Sequence, residues 1–271
     1  MSDTPRLVHG VAGLDRPEER IAVAVGVFDG LHLGHAHLLA ALVAHAAEWG
    51  ARPAVVTFDA HPDAVLRGEA PPLLLDPAER LDRIGAAGVE LLIVEHFDDR
   101  LRTTGYSDFV RSIAAREHVA GFVMTPESAF GYERRGTPEA VAELGREMGY
   151  AVAVVEPLLV EGRPVSSSAI RKLVAGGDLE AAARLLGRPY AIVGEADGTG
   201  RLTFELPVAL PPPGVYDGVV DGRSTVVTID EAAVRVPPAD PPQARRIRLA
   251  FDRAGVPALP DRASAGTIRR S

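Results

Sequence analysis

The chain has 271 residues, 46% hydrophobic and 24% charged, with a formal net charge of −8. That length predicts one large domain or two unequal ones, and the apolar content suffices for a packed core. The absence of cysteine excludes a disulfide framework, thiolate catalysis and Cys-ligated zinc, and the acidic balance argues against a nucleic-acid partner.

The first ten residues are polar, and no apolar run approaches the roughly 20 residues of a membrane helix, so a cytoplasmic chain with no membrane partner is expected. Short β-type runs at 21–28, 53–58, 91–97, 121–124 and 151–157 alternate with helical patterns at 34–48, 77–87, 107–117 and 137–148. That alternation predicts an α/β fold, a Rossmann-like doubly wound parallel sheet with helices on both faces. Two further helical segments occupy 166–187, the second capped by Asp178 and ended by Gly187. Beyond residue 188 helical periodicity stops, and eight prolines fall between Pro207 and Pro242. A small β-barrel-like domain is expected there, so the predicted domains are 1–187 and 188–271. The segment QARRIRLAFDRAG fits either helix or strand. Residues 241–271, with seven arginines and two aspartates, are expected to form a solvated terminus.

Lys172 is the only lysine beside 28 arginines. Any phosphate grip must therefore come mainly from arginine, histidine or backbone N–H groups. The segment GVFDGLHLGHAHLL, residues 26–39, runs from a predicted strand through a loop into a helix. Gly26, Gly30 and Gly34 permit close ligand approach, and a helix N-terminus attracts anions. His32 and His35 can donate hydrogen bonds to phosphate there without adding a permanent charge. In VSSSAIRK, 165–172, Ser166, Ser167 and Ser168 can cap a helix starting near Ala169 or hold phosphates, with Arg171 one turn inside. Asp59 and His61-Pro62 follow a strand end, where ligands of open α/β sheets bind.

GVFDGLHLGH resembles the nucleotidyltransferase signature, and in particular the N-terminal domain of prokaryotic bifunctional riboflavin kinase/FAD synthetases. TFDAHPDAV at 57–65, TPESAFGYERRG at 125–136, VSSSAIRK and GDLEAAARLLGRPYAIVG at 177–194 are similar to further family segments, in the same order. The resemblance implies transfer of AMP from ATP to FMN with Mg²⁺. His32, His35 and Arg171 would be catalytic. Gly26, Phe28, Asp29, Gly34, Ser167 and Ser168 would bind nucleotide, and Asp59, His61, Pro62 and Phe130 the flavin side. Thr125, Glu127 and Ser128 depart from the family's Gly, Asp/Asn and Phe; Glu127 keeps an oxygen ligand for the metal. The kinase segment Pro-Thr-Ala-Asn is replaced by LTFELPV, so a shortened kinase-like barrel without kinase activity is expected. Two other readings stay open: transfer to a modified flavin phosphate or another phosphorylated acceptor, and a non-catalytic flavin- or nucleotide-binding regulator. Oligomeric state is not predicted.

Overall fold

The computed structural model describes residues 4–239, 243–252 and 256–257. Its first part is built on six parallel strands, β1 (Arg6–His9), β2 (Arg20–Val25), β3 (Arg52–Phe58), β4 (Leu91–Glu95), β5 (His118–Met124) and β6 (Ala151–Val154), in the spatial order β1-β4-β3-β2-β5-β6. Ile21 to Ala24 and Ala54 to Val56 are almost fully buried, as strands covered on both faces must be. The helices between them are α1 (Leu33–Glu48), α2 (Pro62–Arg67), α3 (Pro77–Ala86), α4 (Asp99–Thr103), α5 (Tyr106–Ala114) and α6 (Pro138–Met148). α1 and α3 pack on one face, against Ala22, Val55 and Leu92, and α5 and α6 pack on the other, against Ile21, Val23 and Phe122. The expected Rossmann-like layers are present.

Caps written in the sequence start these helices. Asp76 accepts from the Ala78 and Glu79 N–H groups ahead of α3, and Thr137 accepts from Ala140 N–H ahead of α6, each with proline in the first turn. The sequence reading missed β1. Its four residues, RLVH, carry no periodic signal, and the strand exists because it pairs in register with β4.

A short hairpin, β7 (Leu159–Val160) and β8 (Arg163–Pro164), leads to α7 (Ser167–Ala175) and α8 (Leu179–Leu186). Asp178 caps α8 and Gly187 ends it in the left-handed region, as expected. An antiparallel barrel follows, of β9 (Ala191–Ala196), β10 (Arg201–Thr203), β11 (Gly214–Val220), β12 (Arg223–Ile229), β13 (Val234–Arg235) and β14 (Arg245–Phe251), with β15 (Val256–Pro257) beside β11. The order β12-β13-β10-β9-β14-β11 is closed by pairing of β11 with β12, which removes free edges. The segment 245–251 is a strand: Ile247, Leu249 and Phe251 are buried while its arginines alternate outward. Most of the arginine-rich segment 241–271 lies outside the described residues. Ile170, Val174, Leu179, Ala182 and Leu186 of α7 and α8 share one core with Tyr190, Leu202, Tyr216 and Leu249 of the barrel.

Candidate active site

β2 is flanked by β3 on one side and β5 on the other, so chain order reverses there. Ligands of open parallel sheets bind in the crevice beyond the carboxyl ends at such a reversal. The loop after β2 crosses this crevice in a strained path. Phe28 and Leu31 have φ of 55° and 33°, values that non-glycine residues rarely adopt outside functional sites.

The loop ends in His32, which caps α1. His32 Nδ1 accepts a hydrogen bond from the His35 backbone N–H at 3.2 Å. The neutral imidazole therefore carries its proton on Nε2. The His32 and His35 rings stack at 3.7 Å between centroids, with Phe28 tilted against His35 at 5.2 Å. A Cβ at Gly34 would meet the His32 ring at 3.2 Å and the Val165 carbonyl at 3.3 Å, so a larger residue there would press on both the imidazole and the strap before α7. Burial, helped by nearby Arg188, lowers the His32 pKa to about 4. Burial and the neighbouring His32 push His35 well below the usual histidine range. Both rings are neutral at pH 7, and His35 Nδ1 is buried without a protein partner.

Stability follows from that burial. The unfolded chain protonates these histidines near pH 6.5, whereas folded His32 resists until about pH 4. As pH falls through that window the unfolded state takes up the proton and stability is lost, on the order of 3 kcal/mol from His32 alone. Urea unfolding at pH 7 and pH 4.5 is expected to show a smaller pH difference for His32→Asn than for the parent chain.

Two adjoining cavities meet at Phe28, His35 and Ser167. The first, about 300 Å³, is lined by Gly26, His32, Gly34, Thr125, Glu127, Ser128 and Glu156 among others. The second, about 360 Å³, is lined by Asp29, His61, Asp63, Arg67, Ser167, Ser168 and Arg171 among others. Each lies in the range of small-molecule sites.

The three serines divide their work. Ser166 caps α7 by accepting from Ala169 N–H, so the helix begins two residues earlier than the sequence suggested. Ser167 Oγ donates to the Asp29 carbonyl at 2.8 Å, clipping α7 to the histidine loop. The N–H groups of Ser167 and Ser168 lie in the first turn, where no intrahelical acceptor exists. Arg171 Nη2 donates to Asp29 Oδ2 at 2.5 Å and its Nε to the Pro72 carbonyl at 2.8 Å. Asp29, only 2% exposed, also accepts from Leu74 N–H. Asp29 is thus a buried anchor for Arg171.

Two other expected residues are not among those lining the two cavities. Asp59 pairs with His96 at 2.6 Å and accepts from Phe97 N–H. Phe130, half-buried, packs on Phe109 and Phe122 against the core beside β5. His61 caps α2 by accepting from Asp63 N–H, Pro62 occupies the first helical position, and burial lowers the His61 pKa. Glu127 lines the first cavity; among the described residues no group of three histidine or acidic side chains forms a ready-made metal site.

Sequence reasoning missed two arginines, Arg80, which is buried, and Arg188, which is half-buried. Arg80 Nη1 donates to the Val27 carbonyl at 3.0 Å and its Nη2 to the Phe58 carbonyl at 2.6 Å, holding the ends of β2 and β3 together. Its one signal was a charge four residues before buried Ile84, on the inward face of α3. Arg188 reaches the carbonyls of Gly30 and Leu31 from beyond α8; nothing local in the sequence marks that contact.

Neutral histidines and two helix N-termini, a setting suited to phosphate, lie at the reversal point of the parallel sheet of a Rossmann-like domain, here joined to a closed β-barrel. The FAD synthetase family model matches residues 15–169. The chain belongs to the FAD synthetase family. It is 34% identical over 233 residues to the bifunctional riboflavin kinase/FMN adenylyltransferase of Pseudomonas fluorescens, covering 81% of this chain and 75% of that one. It is 32% identical over 232 residues to the protein of the same name from Bacillus subtilis, covering 79% and 71%. In overall fold it is similar to a solved structure described as a macrolide-efflux protein from Streptococcus pneumoniae, with a TM-score of 0.77, 20% identity, and coverage of 97% of this chain and 94% of that one; at that identity the likeness speaks for the fold alone. Among the described residues no helix is long and apolar enough to cross a membrane.

Proposed function

We propose that this protein transfers AMP from ATP to FMN, giving FAD and pyrophosphate. The observation that carries the reading is the stacked neutral pair His32–His35, set at a helix N-terminus where two cavities join, in a chain whose matched relatives are named FMN adenylyltransferases. An FMN phosphate oxygen attacks the α-phosphorus of ATP in line. The new P–O bond forms as the bond to the bridging oxygen breaks, and pyrophosphate carries away the electron pair. Such transfers depend on positioning and on stabilising charge that moves to the leaving group.

His32 Nε2–H and the His35 ring are the donors for the phosphate oxygens. Gly26, Phe28 and Gly34 shape the nucleotide side, and the N–H groups of Ser167 and Ser168 hold the pyrophosphate end. Arg171, with Nη1 making no hydrogen bond among the described residues, supplies the positive charge. His61 and Pro62 serve the flavin-phosphate side. Asp29 acts by anchoring Arg171, and Asp59 and Phe130 are assigned to the flavin side. Glu127, with Glu156 in the same cavity, suits Mg²⁺ held chiefly by substrate phosphates and one or two carboxylates. Bound there, Mg²⁺ screens the triphosphate charge.

The barrel carries LTFELPV at 202–208 in place of the kinase segment, and we assign it no riboflavin kinase activity. Incubation with FMN and Mg-ATP is expected to yield FAD and pyrophosphate by chromatography. Riboflavin with Mg-ATP is expected to yield no FMN. Absence of FAD in the first incubation refutes the transferase reading; FMN in the second refutes the loss of kinase activity. A second reading, another phosphorylated acceptor, draws on Thr125 and Ser128, whose mutual hydrogen bond at 2.9 Å stands where the family has glycine and an aromatic. Faster pyrophosphate release with a non-flavin acceptor would favour it.

A further inference from the structure

Arg188 is a half-buried cation that the chemistry above does not use, and it lines neither cavity. It follows Gly187, whose φ is 71° and where a Cβ would lie 2.6 Å from Leu33 Cδ2. The junction into the barrel is therefore pressed against the first residue of α1. From that seat Arg188 Nη2 donates to the Gly30 carbonyl at 2.6 Å, and Nη1 to the Leu31 and Leu186 carbonyls at 3.0 and 3.2 Å. Gly30 and Leu31 both have positive φ, 78° and 33°, and they immediately precede His32. Two carbonyls in so sparsely populated a path need partners that hold them there.

The barrel fixes the seat itself. Arg248 of β14 bridges to Glu79 of α3 at 3.1 Å, and Arg246 to Asp76 at 2.6 Å. Glu79 also takes Arg83 at 2.6 Å. The Arg188 guanidinium lies close enough to feel Glu79 together with Arg83 and Arg248. A bidentate fork directed at consecutive carbonyls is a geometry that arginine supplies and lysine does not.

We propose that Arg188 is a positioning residue for the histidine pair: by clamping the Gly30 and Leu31 carbonyls it sets the orientation of His32 and His35, and the barrel is retained to deliver it. The inference rests on the FMN adenylyltransferase reading. It explains why a barrel without the kinase segment remains closed and docked on α3.

The test uses full-length Arg188→Ala and Arg188→Lys beside the parent, with FMN, Mg-ATP and pyrophosphate release. Arg188→Ala is expected to lower kcat about 100-fold, the cost of a misplacement near 1 Å, with KM for FMN changed less than about threefold. Free guanidinium ion, at concentrations that leave the parent unaffected, is expected to restore at least about tenfold of that loss. Arg188→Lys is expected to recover only part of it. Amide hydrogen exchange without substrate is expected to accelerate at residues 28–36 in Arg188→Ala while β3 and β4 stay protected. Parent-like kcat in a folded Arg188→Ala, or parent-like exchange at 28–36, overturns the proposal. So does a loss of kcat that guanidinium does not restore. If Arg188→Ala does not fold, Arg188→Lys decides: parent-like kcat overturns, and reduced kcat with faster exchange at 28–36 supports. An inactive parent would instead refute the transferase reading, and the exchange experiment would still test the clamp.

Discussion

His32→Asn is expected to lower FMN adenylylation by about 10²–10³-fold while leaving the fold intact. His32 does two jobs, and asparagine separates them. As cap of α1 it accepts from His35 N–H through Nδ1, and asparagine is among the best residues for that task. Its second, proposed job is to donate from Nε2–H to a phosphate in the first cavity, which His32 lines; the shorter asparagine does not extend that far. Loss of one preorganised donor at a centre of developing charge costs about 2.7–4 kcal/mol of transition-state stabilisation. His32→Ala removes both jobs, so it should lose comparable activity and about 1 kcal/mol of stability besides. Pyrophosphate release and thermal unfolding on both variants check this; full turnover by folded His32→Asn would remove the histidine pair from the chemistry.

Arg171→Ala is expected to abolish activity and also to destabilise the protein by about 3–5 kcal/mol. The second effect arises because Asp29 is 2% exposed and Arg171, its ion-pair partner, has only 16% of its side chain exposed. Removing one partner of a buried pair strands the other charge. Only the Leu74 N–H would remain to Asp29 Oδ1 and Oδ2. Alanine at 171 therefore does not separate binding from folding. The double variant Asp29→Asn/Arg171→Gln removes both charges. It is expected to be more stable in urea than Arg171→Ala yet equally inactive, since the positive charge facing the second cavity is gone. Equal stability of the two variants would mean that Asp29 and Arg171 are not energetically coupled.

These expectations show where local sequence stops being informative. The strand–loop–helix at 21–48 was legible because an apolar strand, three glycines and a helix start obey short-range rules. So were α8, with Asp178 and Gly187 at its ends, and the β character beyond residue 188. Ser166, Ser167 and Ser168 were legible as a group, but their separate duties were not. Ser167's acceptor is the carbonyl of Asp29, 138 residues away in sequence. Asp59 follows β3 and Phe130 lies in the loop after β5; their long-range partners, His96 and the Phe109–Phe122 pair, were not legible in the sequence. Arg80 and Arg188 were illegible because their partners are backbone carbonyls, which carry no residue identity.

What the sequence determined by itself is the order of layers, the place of the glycine- and histidine-bearing loop after β2 and the residue types available to it, all consequences of periodicity, caps and turn chemistry within a dozen residues. What only the tertiary structure decided is which of those residues face the cavities, which charge neutralises which, and how the loop before His32 is held. Those outcomes depend on long-range pairing and on burial. Burial makes both histidines neutral, forces Asp29 to take a counterion, and brings an arginine from the edge of the barrel against two carbonyls of the nucleotide loop.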